Sequence, residues 1–171
     1  DKAIGDGEIF WQEVPFGDFG RNAIQAAKQV VIQRIREAER DKIRAEYSGK
    51  IGELLSGTIQ QVERGNYVIF LNKQTEAILP RHEQCPGERY KQGDRIRAYI
   101  LDVAKAIHGP QIVLSRSDAA FVKKLFEIEV PEISEGIVEI RAIAREAGER
   151  TKLSVLSKDE KVDPVGACVG M

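Results

Sequence analysis

The chain has 171 residues, of which 42% are hydrophobic and 31% charged, with a net charge of −1. That composition supplies a packed core and excludes disordered, collagen-like and disulfide-scaffold chains. No apolar run approaches the roughly 20 residues a membrane span needs, no signal-peptide pattern is present, and the two cysteines, Cys85 and Cys168, form no Cys-x-x-Cys pair, which together point to a reducing, cytoplasmic setting.

The run Glu8–Pro15 alternates like a strand and stops at proline, but one strand cannot bury its own face. At the other end the chain stops straight after the apolar stretch Val165–Val169. Domain boundaries are normally polar and flexible, so the sequence reads as an excised piece of a longer protein. Asp18 is placed to cap a helix. Apolar residues then recur at Ile24, Ala27, Val31, Ile35 and Ala38, and no Gly or Pro occurs from Arg21 to Ser48. This spacing predicts one long helix with a covered apolar face, about 40 Å long at 1.5 Å per residue, able to act as a strut.

After Gly49 the period changes to two. Leu55–Gln60, Tyr67–Leu71, Glu76–Pro80, Ile96–Val103 and Gln111–Ser115 read as five short strands, separated by turn signals at Arg64-Gly65-Asn66, Pro86-Gly87, Gln92-Gly93-Asp94 and His108-Gly109-Pro110. Five strands in about 65 residues suggest a small antiparallel barrel of OB type. From Asp118 the pattern changes again. Ala119, Val122, Leu125 and Phe126 space helically, Gly136–Ala144 and Thr151–Leu156 form a hairpin, and Asp163-Pro164 begins another helix. The expected class is α+β: a long helix, a five-stranded barrel, then an incomplete α/β module.

Charge is uneven along the chain. Residues 1–19 carry −4, 20–50 carry +4, 51–117 carry +2 and 118–171 carry −3. An anionic partner should therefore favour residues 20–117. Catalysis is poorly supported. The two histidines, His82 and His108, have no Ser, Cys or Asp arrangement that favours a nucleophile. No phosphate-binding glycine loop appears, and neither histidine has a Cys or His partner at metal spacing. No catalytic residue, metal or cofactor is expected. Cys85, before Pro86, reads as a partly covered loop thiol. Cys168 reads as packed into the last module.

Residues 51–117 resemble the S-one type of OB domain, through Leu55-Ser56-Gly57-Thr58-Ile59, Val62, Gly65–Phe70, Glu76–Leu79, Gly93-Asp94 and Leu114-Ser115. The resemblance implies single-stranded RNA bound by base stacking and cationic contacts, with Arg64, Tyr67, Arg81, Arg97 and Lys105 as candidate contacts. The chain departs from the pattern at Arg64, where such domains often carry an aromatic, and at Pro80, where they often carry His. Tyr67 is the stacking residue that remains. A lost stacking residue typically costs about 1–3 kcal/mol per base, so weakened RNA binding is expected. Residues 118–171 resemble a bacterial-type KH domain broken off at its Gly-x-x-Gly loop, of which Gly170 would be the first glycine.

Together with Phe19-Gly20-Arg21, Ala26–Val31, Gln33–Arg40, Ile78–Arg81 and Val162–Gly170, these features resemble the NusA family of bacterial transcription elongation and termination factors. The resemblance implies that residues 1–48 are the end of an N-terminal RNA polymerase-binding domain with its linker helix, that 51–117 are the RNA-binding barrel and that 118–171 are a truncated first KH domain. The implied partners are RNA polymerase, single-stranded nascent RNA and other elongation or antitermination factors. The implied activity is modulation of pausing, termination and antitermination, in the cytoplasm and away from membranes. Two other readings stand beside it: an RNA-binding appendage of an RNA-processing enzyme, and a spacer whose barrel docks protein. Phosphorolytic exoribonucleases place the KH domain before the barrel, the reverse of the order here.

Overall fold

The computed structural model describes residues 15, 17, 20–72, 75–104 and 111–169. The chain divides into two compact units, residues 1–41 and 42–171. The expected strand at Glu8–Val14 and the expected cap Asp18 lie outside the described residues.

Helix α1 runs Arg21–Ser48, as the Gly- and Pro-free run predicts. Its first turn closes where the amides of Ala23 and Ile24 donate to the Gly20 carbonyl. The expectation of a covered apolar face fails in the first unit. Ile24, Val31 and Ile35 are 46%, 57% and 54% exposed, and Ala27 is exposed as well. The reason is plain: the helix makes up almost all of what is described in that unit, so no described element packs on the stripe.

In the second unit, β1 (Leu54–Glu63), β2 (Asn66–Phe70), β3 (Glu76–Leu79), β4 (Arg95–Val103) and β5 (Ile112–Ser115) close a barrel in the order β1-β2-β3-β5-β4. Four of the five pairings are antiparallel, and β3 with β5 is parallel. The expected five-stranded barrel of OB type thus carries one parallel seam. A closed ring with an odd number of strands cannot alternate direction at every step, so one parallel pairing is forced. Bulges at Gln60 in β1 and Leu101 in β4 give the extra coiling that closure of so small a sheet requires. Alternation sends Ile59, Ile69, Leu79, Ile100, Ile112 and Leu114 inward, all at 1% exposure or less. Tyr47, from the last turn of α1, joins this core.

Gly57 lies where β1 passes tightly against β2. A Cβ there would lie 2.7 Å from the Phe70 carbonyl oxygen and against Ile69 Cγ2. No side chain fits without displacing the strand pair.

The remaining module follows the expected order with one addition. Helix α2 (Ala119–Glu129) is capped by Asp118, whose carboxylate accepts from the Ala120 amide at 2.6 Å. A one-turn helix α3 (Pro131–Ser134) follows, which the sequence pattern does not reveal because four residues carry no period. Strands β6 (Val138–Glu146) and β7 (Arg150–Ser157) pair as a hairpin. Helix α4 (Pro164–Val169) starts at Asp163, whose carboxylate accepts from the Val165 and Gly166 amides at 3.1 and 3.0 Å.

The two parts of this unit differ in how much they bury. Six large aliphatic side chains in the barrel are fully buried, whereas Val138 is the one in the β6–β7 module among the described residues. At about 1.5–3 kcal/mol for each such side chain, the barrel is the more stable part. Hydrogen exchange should show barrel amides outlasting those of residues 137–156, and equal protection would contradict this. Gly57→Ala should destabilise the barrel by about 2 kcal/mol, read as a lower urea midpoint.

Candidate nucleic-acid interface

The site is built around the β1–β2 turn. Glu63 pairs with Asn66, leaving Arg64 and Gly65 as a two-residue loop with φ of 50° and 85°. Positive φ at both positions is the type I′ turn that matches strand twist, and it normally selects Asn or Gly. Arg64 is the only residue other than glycine with positive φ among those described. Holding an L-residue there costs about 1–2 kcal/mol, and the result is an exposed guanidinium at the hairpin tip.

The segment after β3 packs on this turn. A single 3₁₀ turn covers Arg81–Glu83. The Arg81 amide donates to Asn66 Oδ1 at 3.0 Å, and the Arg81 side-chain stem runs over Gly65, with Cδ 3.5 Å from where a Cβ would stand. Gln84 Nε2 donates to the carbonyls of Gly65 at 2.8 Å and Leu79 at 3.1 Å. Arg64 and Arg81 are thus brought together, and neither guanidinium pairs with a carboxylate among the described residues.

Tyr67 lies next along β2 but is half-buried. Its ring packs against the barrel core and meets Tyr90 edge-on at 5.7 Å. Its hydroxyl accepts from the Tyr90 amide at 3.4 Å. Arg97 stands elsewhere. It is opposite Ser56 on β1, seven residues from Glu63 and so about 23 Å along the strand, and it faces Glu129 at 3.5 Å. Lys105 and Gly170 lie outside the described residues.

Beneath the Arg81–Tyr90 loop is a polar network that sequence reading does not single out. Arg116, just past β5, grips Glu88 through both carboxylate oxygens at 2.7 and 2.6 Å and donates to the Arg97 carbonyl. Tyr90 donates its hydroxyl proton to Glu88 at 2.9 Å. Arg145, on β6, donates to the Arg116 carbonyl at 2.6 Å, to the Asp118 carbonyl and to Cys85 Sγ at 3.3 Å. The Arg116 and Arg145 guanidiniums both lie over the Phe121 ring, at 4.8 and 5.4 Å. Hydrogen bonding from Arg116 holds the Glu88 carboxyl below the usual range, against the opposing effect of burial. Burial and the bond to Glu88 push the Tyr90 phenol up to about 12.

One of the two thiol expectations changes. Cys85 is buried at 5% exposure rather than partly covered, because β6 brings Arg145 onto it, and burial raises its pKa. Cys168, expected to pack into the last module, is half-buried, and burial likewise raises its pKa. Among the described residues no cluster of three or more His, Cys, Asp or Glu could hold a metal ion, and no helix is long and apolar enough to cross a membrane.

Three family models tile the chain in order. They are the NusA N-terminal domain over residues 1–41, the S1 RNA binding domain over 49–116 and the NusA-like first KH domain over 116–171. The chain belongs to the NusA family. A "Transcription termination/antitermination protein NusA" from Bacillus subtilis is 49% identical over 164 residues, covering 96% of this chain and 44% of the relative. Those of Thermus thermophilus and Rickettsia conorii, under the same name, are 46% and 42% identical over 154 and 171 residues, with 90% and 100% of this chain and 40% and 33% of the relative covered. The chain therefore spans less than half the length of these NusA relatives.

Tyr90, Glu88, Arg116 and Arg145 escape sequence reading because their partners are distant in the chain. The available signal was local: an aromatic inside a turn-rich loop, and an Arg straight after Leu114-Ser115.

The depressed Glu88 carboxyl sets a pH dependence. Its contribution to stability is fully present above its ordinary value of 4.5 and is lost as pH falls through the lower folded value. Glu88→Gln should destabilise the chain by about 1–2 kcal/mol at neutral pH, since it leaves Arg116 without its counter-charge. It should also flatten the acid limb of the stability profile. Parallel acid limbs in variant and parent would refute this role.

Proposed function

We propose that this chain is the RNA-guiding part of a non-catalytic bacterial transcription factor, which associates with RNA polymerase and nascent single-stranded RNA to modulate pausing, termination and antitermination in the cytoplasm. The supporting observation is the pair Arg64 and Arg81 at the barrel's hairpin tip. A turn that favours Asn or Gly carries an arginine instead, at a cost in backbone strain, and strain of this kind marks functional positions. Two arginines on one turn, neither paired with a carboxylate among the described residues, suit a phosphate-binding surface. Tyr67, held by the core and by Tyr90, exposes only part of its ring, so phosphate contacts carry more of the affinity than stacking does.

The family context supplies the rest. The relatives' names are those of transcription proteins, which favours this reading over an appendage of an RNA-processing enzyme. Residues 1–48 would anchor the factor on polymerase, 51–117 would contact RNA through Arg64, Tyr67 and Arg81, and 118–171, with Gly170, would begin the KH clamp. The half-buried Tyr67 favours a second reading, in which the barrel docks protein.

Titrating a short single-stranded RNA across salt concentrations tests the proposal. Each phosphate contact contributes about −0.7 to the slope of log affinity against log salt. Arg64→Ala and Arg81→Ala should each weaken binding and make the slope shallower by about that amount. Affinity independent of salt, or no binding at low salt, would exclude the RNA reading and leave protein docking.

A further inference from the structure

We propose that Arg145, a residue of the β6–β7 hairpin, is a positioning residue for the barrel's own RNA site, which is complete only when the hairpin is seated against it. The inference rests on the RNA reading above and deepens it by naming what holds the site's loop in place.

The loop Arg81–Tyr90 has two faces. One forms the site: Arg81 lies over Gly65, Gln84 caps the Gly65 carbonyl, and the Tyr90 amide holds the Tyr67 hydroxyl. The other is a socket for the hairpin module. Arg145 reaches Cys85 in the middle of the loop, and the hairpin turn at Gly148 comes so close to Pro86 that a Cβ would stand 2.5 Å from the Pro86 carbonyl. Gln84, Cys85 and Pro86 are consecutive, so the site contact and the socket contacts are separated by no more than about 7 Å of chain.

The loop has little secondary structure of its own beyond one 3₁₀ turn. Backbone bonds from the Arg116 and Ser117 amides to the Glu83 carbonyl hold its start, and side-chain bonds to Arg116 and Arg145 hold the stretch Cys85–Tyr90. Arg145 donates to the Arg116 carbonyl and so orients the residue whose side chain holds Glu88. Glu88 in turn accepts from Tyr90, and Tyr90 holds Tyr67. Only a forked guanidinium can serve the Asp118 carbonyl, the Arg116 carbonyl and Cys85 together. Arg145 acts through this loop, since its side chain is engaged with Cys85, backbone carbonyls and Phe121 rather than turned outward.

The test uses the full 171-residue chain and a six-nucleotide single-stranded RNA at low salt. Arg145→Ala should lower affinity about fivefold, the scale of one lost hydrogen bond, and shift the Tyr90 amide resonance as its bond to Tyr67 loosens. Tyr67→Phe should lower affinity as well. The double variant should bind no worse than Arg145→Ala alone, because both changes break one chain of contacts. Additive losses, or unchanged affinity in Arg145→Ala with the chain folded, would overturn the proposal. Should Arg145→Ala fail to fold, Arg145→Lys, which keeps a cation but not the fork, carries the same readouts. If the parent chain binds no RNA, the RNA reading fails with the proposal. RNA binding without coupling between Arg145 and Tyr67 would overturn the positioning role alone.

Discussion

The Arg116–Glu88 pair is the contact on which the second unit depends. The Arg116 side chain is only 15% exposed, and a buried charge of that kind is tolerated only if its donors are used. Glu88 takes two of them and the Arg97 carbonyl takes a third. Arg145 lies on the same Phe121 ring, so two cations share a neighbourhood with one bidentate carboxylate. Backbone carbonyls absorb the difference: Arg145 donates to those of Asp118 and Arg116, and the π face of Phe121 favours both guanidiniums. Strand β4, the exit of β5, the cap of α2, strand β6 and the Arg81–Tyr90 loop all meet there. Arg97 thereby has a place in the structure through its carbonyl, whatever its side chain does.

The loop's position follows from strand parity. Five strands cannot close a ring with every neighbour antiparallel, so β3 and β5 run parallel. Parallel neighbours cannot be joined by a tight turn. The chain must leave β3, cross an end of the barrel, pass along β4 and return to β5. The crossing segment is residues 80–94. It therefore lies over the end that carries the β1–β2 turn, tied to the barrel's backbone at Glu83, Gly93 and Asp94, while the residues between are free to specialise. A loop so placed needs side-chain anchors, which Gln84, Glu88 and Tyr90 provide.

Much of this architecture was legible in the sequence, and what was not has a physical reason. The absence of Gly and Pro between Arg21 and Ser48 marked the extent of α1. Alternation at Ile96, Ala98 and Ile100 marked β4, and Asp163-Pro164 marked the start of α4. These signals are local, which is why they survive in a linear reading. The cover expected over Ile24, Val31 and Ile35 needed a second element that periodicity cannot supply. The parallel seam depends on closure rather than on any residue. For the site, the Arg64-Gly65 turn was legible as a turn, but its type was not, since Arg argues against positive φ. Arg145 reaches Cys85 across 60 residues of chain and the Arg116 carbonyl across 29, distances over which no motif speaks.

The barrel's mixture of features becomes coherent once the charge at the tip is weighed against the missing stacking surface. On the proposed reading, arginines that contact phosphate read no base, because every nucleotide carries the same phosphate. A ring held edge-on against Tyr90 discriminates little more. Such a surface suits a partner whose sequence changes continually as it passes, as a growing RNA does, and it suits binding that is weak enough to release. Weak contacts become effective when modules are held together, because the second contact is then made at high local concentration. That gain depends on the distance and stiffness between modules, and here the barrel and the hairpin module are joined by the same arginine cluster that shapes the loop. Loop order and module order are therefore consequences of one set of side chains, and a change at Arg116 or Arg145 acts on both.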